Sequence, residues 1–153
     1  MSTKEQVMSV EANTAAVRYL ADEGFKRRNL ASVDEIIFAE MIDHNAMPGQ
    51  KPGPEGVKDF INFLYAAFPD AQFTNEHIFG EGDLVADHWH MEGTHGGPFM
   101  GIPPTGRHVH IQGIEVFRMA GGQIVERWAQ IDNMGLLRQL GAIPDPGGVP
   151  HPS

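Results

Sequence analysis

Cysteine is absent from this 153-residue chain, so disulfides, thiolate nucleophiles and Cys-ligated zinc or iron–sulfur centres are excluded by inventory. Basic residues are scarce: 11 Lys and Arg stand against 20 Asp and Glu, for a net charge of −9. That balance lacks the basic footprint that a nucleic-acid or anionic-membrane partner needs, and it favours solubility. Long hydrophobic runs are missing as well. Nowhere do about eighteen apolar residues follow one another, and the N-terminal MSTKEQVMSVEANTAAV has no apolar signal-peptide core. The expectation is a cytoplasmic protein with no nucleic-acid and no membrane partner, in which any catalysis falls to His, carboxylate, amide or hydroxyl groups.

Cofactor motifs are lacking too. No Gly-x-Gly-x-x-Gly follows a strand, and there is no P-loop and no Gly-x-Ser-x-Gly elbow, so no cofactor is assigned. Eight histidines invite a metal reading, yet none stand in His-x-x-x-His or His-Glu-x-x-His spacing. Joining His88-x-His90 to His108-x-His110 would need a cross-strand register that the sequence does not fix. No metal is therefore assigned.

What is present is an ordinary globular composition, 41% hydrophobic and 20% charged, at the length of one domain. From Glu5 to about Arg28 apolar residues recur at spacings of three and four, as in an amphipathic helix. Ser32 reads as the N-cap of a short second helix that includes Ile36-Ile37-Phe38. A Pro- and Gly-rich loop follows, and Pro54 opens a third helix that ends before Pro69. The period then changes to two. Residues 71–81, 84–94, 107–119 and 123–132 read as four strands, with Gly82-Asp83 and Gly121-Gly122 suited to tight hairpins. Met134 to Leu140 reads as a last short helix. Helices followed by a run of antiparallel strands indicate an α+β fold, with one domain over residues 1–144 and an irregular tail at 145–153.

The stretches GTHGGPFMGIPPTGR (93–107) and GGQIVERWAQIDNMGLLRQLGAIP (121–144) resemble the SnoaL-like polyketide cyclase family. So do DHNAMPGQKPGPEGVKDF (43–60) and the Phe68-Pro69-Asp70 break, which extends the resemblance over nearly the whole chain. The family belongs to the nuclear transport factor 2-like superfamily, with limonene-epoxide hydrolases and ketosteroid isomerases. The resemblance implies a cone-shaped fold: N-terminal helices on a strongly curved antiparallel sheet enclosing a pocket. It also implies a hydrophobic small-molecule substrate and a homodimer formed through the outer face of the sheet.

Site residues follow from strand phase combined with that resemblance. In LVADHWHME, Ala86, His88, His90 and Glu92 share one face, while Val85, Asp87, Trp89 and Met91 share the other, mostly apolar face. Exposure to solvent is one reading of His88 and His90. The resemblance gives another, since epoxide hydrolases place a cavity-facing Arg and Asp two apart on the equivalent strand. Asp132 falls where family members carry their acid/base Asp, in phase with Gln130 and Trp128, and it also suits an N-cap for the last helix. His44 and Asn45 match a segment that holds a water or a substrate carbonyl in the resembling enzymes, and Asn45 also suits a turn. Gln112 has two readings: its amide is offered to a substrate oxygen, or its strand phase, polar at His108 and His110 and apolar at Ile114 and Val116, is that of a strand emerging from solvent into core. The expectation is thus catalysis by Asp132, His88 and His90, with His44, Asn45, Gln112, Trp128 and Gln130 binding substrate. The activity implied is cofactor-independent cyclisation or isomerisation by acid/base chemistry. The alternatives are hydrolysis or hydration by an Asp-activated water, and non-catalytic binding of a small molecule.

Overall fold

Ser9 starts the first helix by accepting a hydrogen bond from the Ala12 amide at 3.0 Å. In the computed structural model, which describes residues 8–144, helix α1 (Val10–Tyr19) therefore begins later than the periodicity implied. The expected start at Glu5 lies outside the described residues. Helix α1 continues without a break into a π-helical segment, Leu20–Lys26. Helix α2 (Ala31–Ile36) follows Leu30, and Ser32 sits inside it, its hydroxyl donating to the Asn29 carbonyl at 2.7 Å. Ser32 is thus not the N-cap.

The second helix is also shorter than expected, because the chain becomes extended at Ile37. Strand β1 (Ile37–Asp43) pairs parallel with the last strand, with a register shift between Ile37 and Ile42. Only Ile37 and Met41 of this strand are buried, a spacing of four that mimics a helical stripe. Helix α3 (Gly53–Ala67) has Pro54 in its first turn, as expected. Strands β2 (Gln72–Glu81), β3 (Leu84–Thr94), β4 (His108–Ala120) and β5 (Gln123–Ile131) match the four expected strands within about two residues. Gly121 and Gly122 both have positive φ, as the β4–β5 hairpin turn requires. Helix α4 (Asn133–Gln139) closes the fold. The tail 145–153 lies outside the described residues.

The five strands form one sheet in the order β1-β5-β4-β3-β2, antiparallel except for the β1–β5 pair. Bulges in β2 and near the β4–β5 turn help to curve it. Helices pack on one face only, the interior. Two apolar clusters lie there. One joins Val17, Val33, Ile61, Val85, Phe117 and Ile124; the other joins Phe68, Met91, Phe99, Ile111, Leu136 and Leu140. No helix among the described residues is long and apolar enough to cross a membrane.

Candidate active site

Three central strands carry the two apolar clusters at their ends and something different between them. Along the interior phase of β3 the order is Val85, Asp87, Trp89, Met91; along β4 it is Phe117, Glu115, Gly113, Ile111. β5 contributes Ile124, Arg127 and Ala129. A row of ionisable groups therefore interrupts an apolar face, and small residues, Gly113 and Ala129, stand beside it. Trp89 lies close over Gly113, where an added methyl would come within 2.7 Å of the indole ring.

The row is held by a non-local ion network. Arg127 donates from Nε to Glu115 Oε1 at 2.8 Å and from Nη1 to Asp43 Oδ1 and Oδ2 at 2.9 and 3.1 Å. Asp43 enters from β1, and its Oδ1 also accepts the Asn45 amide at 3.0 Å. Arg127, Asp43 and Glu115 have side chains 16%, 11% and 17% exposed, so each carries a large desolvation cost that the others offset. Burial pushes the Glu115 carboxyl above the usual carboxylate range, and the Arg127 charge pulls it part of the way back. Burial works against the Arg127 charge, but Glu115 and Asp43 outweigh it and hold the guanidinium more firmly protonated than usual. A cleft of about 180 Å³ opens beside Asp43, lined also by Met41, Ala46 and Lys51.

Asp87 stands directly across from Glu115 in the β3–β4 register and is 4% exposed. Among the described residues no cation pairs with it. Its carboxylate accepts from Asn75 Nδ2 at 2.9 and 3.0 Å, and burial raises its pKa, with the Asn75 bond and the charges of Arg18, Lys26 and His88 opposing in part. Two groups beside it lack partners: Asn75 Oδ1 and the Trp89 indole Nε1 are both buried with nothing to bond. Unsatisfied buried donors and acceptors are uncommon and costly. Phe73 packs edgewise near Phe25 and Tyr65 at ring distances of 6.0 and 6.2 Å, and near Trp89 at 6.3 Å, which lines this side of the interior with aromatic rings.

The residues singled out from the sequence are distributed differently. His88 and His90 lie on the outer face of the sheet, opposite in phase to buried Val85, Asp87 and Met91. His88 Nδ1 meets His77 Nδ1 at 3.1 Å and its Nε2 meets Gln112 Oε1 at 3.3 Å. His90 is 4.0 Å from Glu76. His44 stacks on Trp128 with ring centroids 5.0 Å apart and bonds Glu126 at 2.6 Å, while Asn45 Oδ1 accepts the Ala129 amide at 2.8 Å. Gln130 shares the outer face with Trp128 and pairs with Ile114. Asp132 caps α4: Oδ1 accepts the Gly135 amide at 3.0 Å, and its own N–H donates to the Gln112 carbonyl at 3.1 Å. A methyl on Gly135 would collide with the Asp132 carboxylate at 2.2 Å, so the two residues specify each other. The structure thus brings His88, His90 and Gln112 together on the outer face, joins Asp132 to them through the main chain of Gln112, and sets His44 with Trp128.

Residues 15–140 match the SnoaL-like polyketide cyclase family. The chain belongs to this family. Among SnoaL-like relatives, the nogalonic acid methyl ester cyclase of Streptomyces nogalater is 28% identical over 111 residues, 71% of this chain and 83% of that protein. The structure of TsrD from Streptomyces laurentii superposes with a TM-score of 0.79 at 26% identity, covering 89% of this chain and 99% of TsrD. That of IdmH from Streptomyces antibioticus gives 0.72 at 34% identity, covering 84% and 98%. The SnoaL-like fold expected from the sequence is therefore the fold observed. In it the interior row was not picked out from the sequence. The available signal was Asp87, a carboxylate placed in the strand phase otherwise occupied by Val85, Trp89 and Met91.

Proposed function

We propose that the chain is a cofactor-independent cyclase whose acid/base group is Asp87. The observation that carries this reading is a buried carboxyl of raised pKa with an unpartnered indole N–H two residues along the same interior strand face. Asp87 takes a proton from a carbon next to a carbonyl, and the Trp89 N–H hydrogen-bonds the enolate oxygen that results. The enolate carbon attacks a second carbonyl within the same molecule, a carbon–carbon bond closes the ring, and Asp87 returns its proton to the new alkoxide. No atom is lost and the carboxylate is regenerated. Directed donors at a developing anion in a dry site supply much of the rate in such reactions. The name of the Streptomyces nogalater relative points to a polyketide methyl ester as substrate. The cleft of about 180 Å³ beside Asp43 does not reach Asp87 or Trp89, so this mechanism requires substrate to enter by displacing the aromatic side chains around Phe73 and Trp89.

Turnover of nogalonic acid methyl ester in heavy water containing labelled oxygen tests the reaction class. The expected product is an isomer of the substrate with no solvent oxygen; the carbon that lost its proton carries the new bond, and the deuterium taken up sits on the new hydroxyl, where it exchanges back in ordinary water. Solvent oxygen in the product would place the protein with hydrolases or hydratases instead.

The outer face supports a second reading, because His77, His88, His90 and Gln112 cluster there next to Asp132, which the sequence resemblance matches to an acid/base Asp. The same assay separates the two. Asp132→Asn keeps an oxygen for the Gly135 amide and should retain turnover within about threefold, since it removes no proton carrier from the interior. Loss of turnover there with retention in Asp87→Asn would move the chemistry to the outer face. Exposed Ile42, Phe79, Ile114 and Trp128 share that face, and a second copy of this chain is the occupant that would cover them. Sedimentation should give a dimer mass at micromolar concentration and a monomer for Ile114→Glu; a monomeric parent protein rejects the dimer.

A further inference from the structure

Beyond that reading, the register of β3 and β4 creates a cluster that neither strand contains alone. Glu92 pairs with His110 and Thr94 with His108, so Glu92, His108 and His110 project from one outer-face corner with ligand atoms all within 4.8 Å of one another. The two His-x-His pairs of the sequence do not meet: His90 faces Gln112 and His88 faces Ile114. A carboxylate from β3 completes the set instead of a second histidine pair.

We propose that Glu92, His108 and His110 form a divalent transition-metal site, with zinc as the best-matched ion. The Glu92 Oε2 to His110 Nδ1 distance is 3.3 Å. Zinc bonds of about 2.0–2.1 Å to nitrogen and oxygen give a tetrahedral edge of about 3.3–3.4 Å, so this pair is already spaced as two ligands. His108 is oriented by a supporting chain. Thr94 Oγ1 donates its proton to Asp70 Oδ2 at 2.8 Å and so can only accept from His108 Nδ1, 3.3 Å away. That fixes the proton on Nδ1 and leaves the Nε2 lone pair free for a metal, the carboxylate-backed arrangement that metal-binding histidines use. Asp70 Oδ1 also accepts the Thr94 amide at 2.7 Å, which holds the chain rigid. The His110 main chain is clamped in both directions by the Gln139 amide, at 2.7 Å to its N–H and 2.8 Å from its carbonyl. Two histidines and one carboxylate leave a fourth position open to water or to an exogenous ligand. A cleft of about 210 Å³ lined by Gln72, Thr74, His90, Glu92 and His110 lies beside it. The site is four residues along β4 from Ile114, about 13 Å at strand rise, at the margin of the apolar outer face.

Calorimetric titration of metal-stripped, tag-free full-length protein with zinc chloride tests the assignment. One zinc per chain should bind. His108→Ala and His110→Ala should each weaken binding by at least about 100-fold, and Thr94→Val by roughly 10–100-fold through loss of the supporting chain. His108 and His110 are exposed and Thr94 is half-buried, and circular dichroism checks that the variants fold. His77→Ala/His88→Ala, which removes the other close pair of ring nitrogens, should leave stoichiometry and affinity unchanged. Absence of saturable binding, binding that survives the loss of His108 and His110, or binding lost in the His77/His88 variant would each overturn the site.

Discussion

Asp87→Asn should abolish cyclisation, by about 10²–10⁴-fold in kcat, while making the protein more stable at neutral pH. The two effects share a cause. Asp87 is 4% exposed, has no cation in contact, and its pKa is raised chiefly by burial. A group whose folded pKa lies above its unfolded value contributes stability below the unfolded pKa and loses it as pH rises through the folded one. At pH 7–8 the parent protein therefore bears the cost of a buried, ionised carboxylate. The asparagine does not, and its new N–H₂ can donate to the unpartnered Asn75 Oδ1. Urea unfolding across pH should show the variant ahead at pH 8 and the difference shrinking toward pH 4. Turnover within about tenfold of the parent would remove Asp87 from the chemistry, because a lost general base costs at least about 10². A loss of both activity and stability would mark it as a structural residue.

The proposed role would account for a carboxylate in this core. With Val85, Met91, Phe117 and Ile111 on the same face, the carboxylate at 87 stands there at the expense of stability. Glu115, directly opposite, shows the contrasting environment: burial raises its pKa also, but Arg127 opposes the shift. Two neighbouring carboxyls thus differ in having or lacking a cation, which is how acid and base roles become separated within one site.

The sheet was legible because β3 and β4 alternate over most of their length. The β3 phase assigned Val85, Asp87, Trp89 and Met91 to the packed side, glycine turns marked two of the three joins between the four strands, and Pro69 marked the start of the first. Strand β1 was not legible, because its two buried residues are four apart and its pairing partner, β5, lies about eighty residues downstream. The same remoteness hid the interior network: Arg127 and Asp43 are 84 residues apart, and nothing local in either segment announces the other. Asp132 illustrates a third case. Its residue type and position were read both as a cap and as an acid/base group, and the bond to the Gly135 amide supplies the first without testing the second. Likewise Glu92 could join His108 and His110 only once the β3–β4 register was known.

Arg127→Met should be the most destabilising single change in the interior row, by about 3–5 kcal/mol at pH 7, because it strands Asp43 and Glu115 as buried carboxylates without a cation. Methionine replaces most of the aliphatic volume, so lost packing is a minor part of the effect. Against a total stability of about 5–15 kcal/mol for a domain, that loss is a large share, and it should appear as a drop in the urea midpoint. Its pH dependence identifies the cause. Glu115 already sits above the usual carboxylate range, and removing Arg127 takes away the charge that restrained it. In the variant the folded Glu115 carboxyl gains its proton at a higher pH than the unfolded one, so the deficit should be greatest at neutral pH and shrink as pH falls toward 5. Adding Glu115→Gln to Arg127→Met should recover part of the loss at pH 7 and flatten the profile. A deficit under about 1 kcal/mol, or one unchanged between pH 5 and 8, would mean that the network is solvated and that the polar row is not a dry site.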